Sequence, residues 1–252
     1  MTTLVVGATG ATGRLLMRQL LDRGVHVKAI VRSPDRLPDD VTNHPRLSVI
    51  RASLLDLSDT EMLRHVSGCD AVASCLGHTI SLRGIFGRPR RLVADATRRL
   101  CNAINAAQPV KPVRFVLMNT TANSNHDISE KYSFGEALVI GMVRLLLPPQ
   151  VDNEKAADYL RTTVGRNHAV IQWAVVRPDT LIDANAVTEY DAYPSPTRSP
   201  IFDAGSTSRI NVAHFMADLI TDDPVWNRWK GQMPVLYNRQ PSQRIPVSNQ
   251  ER

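Results

Sequence analysis

Three glycines at a spacing of three, Gly7, Gly10 and Gly13, stand between a short apolar run, Leu4-Val5-Val6, and a helical pattern with Leu15, Leu16, Leu20 and Leu21 on one side. Strand, tight glycine turn and helix in that order present backbone N–H groups and a helix N-terminus to an anion. The usual anion is a dinucleotide pyrophosphate. The backbone has to turn sharply and approach the phosphates without a Cβ in the way. Gly7, Thr9, Gly10, Ala11, Thr12 and Gly13 are the cofactor contacts expected from this stretch. The competing interpretation is a structural strand–helix turn that binds nothing.

A second strand is expected over Val25-His-Val-Lys-Ala-Ile-Val31, and the residue just past it separates two cofactors. A carboxylate there would bond the ribose 2′-OH of NAD, whereas an arginine would hold the 2′-phosphate of NADP. The position is Arg32, followed by Ser33 and Arg36, with no carboxylate before Asp35. A guanidinium pairs with phosphate bidentately, so NADP is expected in preference to NAD; a solvated surface charge is the bland alternative. Ser53 follows the third strand at the adenine edge, and Leu76-Gly77 closes the fourth, where a glycine lets backbone lie against the adenine ribose.

Polar groups at the ends of later strands are the candidates for chemistry, because the carboxyl ends of parallel strands line the ligand crevice. Asn119-Thr120-Thr121 ends the fifth strand, Pro178 ends the sixth, and Pro cannot donate to a ladder. A helix beginning at Asp152 as N-cap would place Lys155 in its first turn. A cation there opposes the helix dipole, so Lys155 is expected to serve a purpose such as bonding the nicotinamide ribose.

These residues need a scaffold. Apolar runs at 4–6, 25–31, 47–50, 70–75, 113–118, 169–178 and 231–238 alternate with helical patterns at 57–66, 92–107 and 212–220, the last with Asn211 as cap. That alternation predicts an α/β fold with a doubly wound parallel sheet. The 252 residues, 43% of them apolar, suit a single domain over 1–238, with 179–210 forming a substrate-side subregion and 239–252 a frayed tail. No run of eighteen apolar residues exists, which excludes a membrane span of that length. A strand at the very N-terminus leaves no room for a secretory signal, and a cytoplasmic location is expected. Cys69, Cys75 and Cys101 lack metal-ligand spacing and are expected as buried thiols; no metal is expected.

The net charge of +6, from 30 basic and 24 acidic residues, favours anionic partners, and a phosphorylated cofactor satisfies that bias. Arg83, Arg88, Arg90, Arg91, Arg98 and Arg99 crowd one segment, opposed only by Asp95. A solvated face, an anion-attracting rim beside the site and a nucleic-acid contact are the three interpretations. No DNA-binding motif accompanies the arginines, so nucleic acid is not expected. Ser133 to Leu147 is expected as a helix with one apolar side and Glu136 and Arg144 opposite, stopped by Pro148-Pro149.

Gly7-Ala-Thr-Gly-Ala-Thr-Gly13, Val31-Arg32, Lys155-Ala-Ala-Asp-Tyr-Leu-Arg161, Val175-Val-Arg-Pro178 and Ser208-Arg-Ile-Asn-Val-Ala-His-Phe215 together resemble the atypical short-chain dehydrogenase/reductases. Within them the chain is most similar to the NmrA-like and biliverdin-IXβ/flavin reductase-like branch. The resemblance implies a Rossmann sheet in the order 3-2-1-4-5-6-7, NADP in the crevice and a small C-terminal substrate region. It also implies a Tyr-x-x-x-Lys pair in which tyrosine gives the proton. Lys155 matches the lysine, but Val151 stands where the tyrosine belongs. Tyr159 falls on the wrong side of Lys155 and reads as packing, whereas Tyr132, in the loop after the fifth strand, is a candidate to replace the phenol; Arg177-Pro178-Asp179 replaces the family's Arg-Pro-Gly.

Two functions follow. The first is an NADPH-dependent reductase passing hydride to a conjugated, quinone-like or flavin-like small molecule, with Thr120, Thr121 or water as proton source. The second is a redox-sensing NADP-binding protein that docks a protein partner and turns nothing over. The missing tyrosine argues against a nucleotide-sugar epimerase or dehydratase. A monomer or a homodimer is compatible with the sequence.

Overall fold

The computed structural model describes residues 1–78, 87, 89–128, 130, 135, 136, 139, 141, 142 and 148–239. Tyr132, Arg83, Arg88, most of 133–147 and residues 240–252 lie outside the described residues.

The chain runs through β1 (Thr2–Val6), α1 (Ala11–Asp22), β2 (His26–Val31), α2 (Asp39–Thr42), β3 (Leu47–Arg51), α3 (Asp59–Val66) and β4 (Ala71–Ser74). It continues with α4 (Leu92–Ala107), β5 (Val113–Met118), α5 (Pro148–Asp158), a π-helical turn (Tyr159–Val164) and β6 (Ile171–Pro178). The last part holds β7 (Thr180–Ile182), β8 (Tyr190–Tyr193), β9 (Ser206–Ser208), α6 (Arg209–Thr221), α7 (Asp223–Trp229) and β10 (Val235–Asn238).

Eight strands form one sheet in the order β3-β2-β1-β4-β5-β6-β10-β8, and β7 pairs with β9 separately. All pairs in the large sheet are parallel except β10 with β8. The seventh position, expected from the resemblance, is held by β10, and the segment read as substrate wall adds β8 as an antiparallel edge.

Sheets of this kind are covered by helices on both faces, so their strands are apolar without alternation. Leu4, Val5 and Val6 are all buried: Val5 packs with α1 and α6 residues such as Leu16, Met17, Val212 and Met216, while Leu4 and Val6 face Met62, Leu100, Ile104 and Leu160 from the opposite layer. Strand order reverses at β1, which pairs with β2 through Val6–Ile30 and with β4 through Val6–Ser74. That reversal opens a crevice at the carboxyl ends, where such sheets bind ligands.

Two helix starts differ from expectation. Pro148 is the first residue of α5; proline suits a first turn, where its missing N–H has no partner anyway. Asp152 is therefore not an N-cap, and Lys155 lies in the last turn of α5, where a cation agrees with the dipole. At α6 the cap is Ser208, whose hydroxyl accepts Asn211 N. Asn211 is wholly buried inside the helix, where its amide bonds Thr188 and Asn238.

Candidate functional site

The turn after β1 shows why glycine is required at two of its three positions. Gly7 has φ +79°, and a Cβ there would sit 2.5 Å from the Cys75 carbonyl carbon. A Cβ on Gly13 would lie 2.1 Å from the Gly7 carbonyl oxygen, so the third glycine serves the packing of α1 against the turn. Gly10 is the N-cap of α1. No side chain caps that helix, and its first turn holds no acid. The first N–H groups of an α-helix have no intrahelical partner, so this end offers donors and a positive dipole to an anion.

Gly7, Thr9, Gly10, Arg32, Arg36, Ser53, Leu76 and Gly77 line one crevice of about 450 Å³. Val6, Ile30, Val31, Ala52 and Cys75 at the strand ends line it too, as do Leu54, Leu55, Asp56, Pro89 and Leu92, and none of these last five was expected as a site residue. The signal for them was available, since Leu54 to Asp56 directly follow Ser53 at the end of β3, in a turn closed by Asp56 N on Ser53 O at 3.0 Å. Ala11, Thr12 and Gly13 do not line the crevice; Thr12 and Gly13 are buried in α1, and Ala11 is exposed. Arg32 and Arg36 are exposed, and no ion pair engages either among the described residues. The cradle cleared of Cβ atoms, the uncapped helix end and two uncommitted guanidinium groups fit a phosphorylated dinucleotide.

The polar groups beyond β5 and β6 are engaged with one another. Asn119 gives its amide to Asn153 O at 2.9 Å and takes Thr120 N on its oxygen at 2.9 Å. It ties β5 to α5. The buried Thr121 hydroxyl donates to Asp179 Oδ1 at 3.5 Å, and its N–H goes to Pro178 O. The Thr120 hydroxyl accepts Ala122 N in a local turn. Lys155 is exposed and makes no hydrogen bond or ion pair among the described residues. Tyr159 packs against α4 and donates to Asn102.

Two buried ionic clusters were invisible to the sequence analysis. Asp152, 1% exposed, accepts Val93 N at 2.8 Å, Ala94 N at 3.0 Å and His78 Nε2 at 2.8 Å. It caps α4, not its own helix, and fastens the residue after Gly77. Arg177 is fully buried and spends its N–H groups on Met233 O, Asn123 O, Pro194 O and both oxygens of Glu130. Glu130 also takes Asn125 N, so this network pins the segment after β5 to β6. Partners 58 or 47 residues apart leave no local pattern to read.

Asp179 takes N–H groups from Gly205 at 2.9 Å and Thr180 at 2.8 Å besides Thr121. Burial pushes its carboxyl above the usual aspartate value, against those hydrogen bonds. A Cβ on Gly205 would meet Tyr237 at 2.4 Å, so the chain entering β9 passes β10 closely. Glu136, expected on a polar face, is buried and receives the Ser199 hydroxyl. Burial also raises the thiols of Cys69, Cys75 and Cys101, with Cys75 pushed up to about 12, which keeps them protonated and inert.

In the Arg-rich segment, Arg98 pairs with Asp95 on its own helix, and Arg99 reaches the turn before α3. Arg90 and Arg91 are exposed. No described helix is long and apolar enough to cross a membrane.

A family profile described as NAD(P)H-binding matches residues 7–223. Cinnamoyl-CoA reductase 1 of Arabidopsis thaliana is 33% identical over 125 residues, which is 47% of this chain and 34% of that protein. The chain spans between 20% and 34% of the length of the curated relatives it matches. An oxidoreductase from Lactococcus lactis superposes with a TM-score of 0.68 at 18% identity, covering 95% of this chain and 92% of the other. A short-chain dehydrogenase/reductase from Veillonella parvula, solved in complex with NADP, gives 0.67 at 15% identity, covering 96% and 98%. At these identities the structural likeness concerns the fold.

Proposed function

This chain belongs to the NAD(P)H-binding family, and from that premise we propose that it is an NADPH-dependent reductase acting on a conjugated, quinone-like or flavin-like small molecule. One observation carries the preference for NADPH: Arg32 and Arg36 line the crevice at the end of β2 with no carboxylate partner among the described residues. Gly7, Gly10 and the α1 N-terminus hold the pyrophosphate, Arg32 and Arg36 the 2′-phosphate, and Ser53, Leu76 and Gly77 the adenosine. Bound there, the nicotinamide supplies a hydride. Lys155 is assigned to the nicotinamide ribose, and Pro178 closes that end. Thr120, whose hydroxyl finds no acceptor among the described residues, or a water delivers the proton to a delocalised acceptor.

Titration of NADPH and NADH by fluorescence tests the cofactor assignment. Arg32→Ala is expected to weaken NADPH about 10- to 100-fold, the value of a charge-assisted bond, and to leave NADH within about twofold. Equal losses for both cofactors would reassign Arg32 to a structural role. NADPH oxidation against a panel of quinones, flavins and enones tests the reaction.

A second function has its own support. Asn119, Thr121 and Asp179 are bonded internally, and no phenol stands four residues before Lys155. A crevice that binds NADP without an acid to complete a reduction suits a redox sensor that docks a protein partner. Tight NADPH binding with no turnover of any acceptor would favour it over the reductase.

A further inference from the structure

Arg99 projects from α4 toward the adenine side of the crevice. Its Nη1 donates to Leu55 O at 2.6 Å and Leu54 O at 3.3 Å. Its Nη2 donates to Leu57 O and to Asp59 Oδ1, the latter at 3.2 Å. The guanidinium is mostly covered, at 16% exposure, whereas the Asp59 carboxylate is fully exposed, so the three carbonyls and not the ion pair define the contact.

Those carbonyls belong to the stretch between β3 and α3 that forms the crevice wall at Leu54, Leu55 and Asp56. The carbonyls of Leu54, Leu55 and Leu57 converge on this one guanidinium, outside any strand or helix. They need a donor with several N–H groups in a fixed fork, and among side chains only arginine has one. The α3 capping box, in which Ser58 and Glu61 bond each other's backbone, fixes the far end of the same stretch.

We propose that Arg99 is a positioning residue for the adenosine half of the cofactor, shaping the 54–57 wall from behind without touching the ligand. The proposal rests on the crevice being the cofactor site. It converts one arginine of the basic segment from a surface charge into part of the binding machinery. Lys155 is not among the residues that line this crevice beside Leu54, Leu55 and Asp56, so the effect is expected to separate by cofactor half.

The experiment compares the wild-type chain with Arg99→Met, Arg99→Lys and Arg98→Met, measuring dissociation constants for adenosine 2′,5′-bisphosphate, reduced nicotinamide mononucleotide and NADPH. Arg99→Met is expected to weaken the bisphosphate and NADPH by about tenfold, the size of a lost set of charge-assisted bonds, and to leave the mononucleotide unchanged. Arg99→Lys, which keeps the charge and loses the fork, is expected to behave like Met. Arg98→Met removes the same charge one residue away and is expected to leave all three constants unchanged.

Full rescue by lysine, or an equal loss in Arg98→Met, would reduce the effect to net charge and overturn the proposal. Equal weakening of both halves would mean general loosening and overturn it as well. If Arg99→Met does not fold, Arg99→Lys carries the comparison: weaker bisphosphate and NADPH binding with the mononucleotide constant unchanged supports the proposal, and three unchanged constants overturn it. Failure of the wild type to bind NADPH or the bisphosphate would remove the cofactor assignment itself, a result distinct from wild-type binding that Arg99 does not influence.

Discussion

The two ends of the carboxyl edge of the sheet are built on opposite principles. At the β1–β4 end the crevice is made by removing side chains: Gly7 and Gly10 clear space, Gly13 lets α1 pack against the turn, and the cations lining it, Arg32 and Arg36, make no ion pair among the described residues. At the β5–β6 end the space is filled with polar side chains that satisfy one another, from Asn119 on Asn153 to Arg177 on Glu130 and Thr121 on Asp179. A free anion site costs little, because water solvates unpaired backbone N–H groups until a ligand arrives. A buried charge or amide cannot wait in that way and must be paired at once. Polar residues at a strand end are therefore weaker evidence for chemistry than glycines are for a cofactor.

The largest effect expected from breaking this contrast is at Gly13. A side chain there drives into the Gly7 carbonyl at 2.1 Å, and both partners are backbone, so neither can swing aside. Gly13→Val is expected to cost more than about 5 kcal/mol, enough to leave little folded protein. Urea unfolding of whatever accumulates measures it. A folded Gly13→Val variant that had merely lost NADPH would show instead that the glycine serves the phosphate.

At the other end, Glu130→Gln removes the countercharge of an arginine with no exposed surface. Breaking one side of a buried pair costs about 3–5 kcal/mol, because the remaining charge is stranded. Replacing both partners with apolar residues offers no escape here, since the Met233, Asn123 and Pro194 carbonyls would lose their donor as well. Urea unfolding is again the measurement. A loss below about 1 kcal/mol, typical of a surface pair, would mean that this end is as open to water as the first and would dissolve the contrast.

These two ends also differ in how far the sequence reveals them. Gly7 to Gly13 can be read because the constraint is local: a strand, a turn and a helix within fourteen residues impose it. The βα alternation announces a parallel sheet, whereas the strand order through β6 was implied by the resemblance to the short-chain dehydrogenase/reductases. Asp152 was read as the cap of its own helix because a carboxylate before a helical pattern is a local signal, whereas its real partners, Val93 and Ala94, come from another helix. Asn211 and Ser208 show the same limit at closer range. Both are cap residues by type, and only tertiary packing puts Asn211 inside the helix between Thr188 and Asn238. The departure at Asp179 was visible as a residue, but its role was not, since its donors come from Thr121 and Gly205.

Asp179 gives the smallest effect and the one whose sign carries the information. Its carboxyl is pulled in two directions, upward by burial, which is the larger influence, and downward by the N–H groups of Gly205 and Thr180 and the Thr121 hydroxyl. With the folded value raised, the folded protein holds this proton more tightly than the unfolded chain does. Stability from this group is then fully present below its ordinary value of 3.8 and is lost as pH rises through the raised value. Other carboxylates titrate in the same window, so the quantity to measure is the difference in unfolding free energy between wild type and Asp179→Asn as a function of pH. That difference is expected to move against the wild type as pH rises. The opposite slope would mean that three donors outweigh burial and that Asp179 is held as an anion. It would then repel a second negative charge beside β6, and an acceptor with an anionic group at that end of the crevice would be disfavoured.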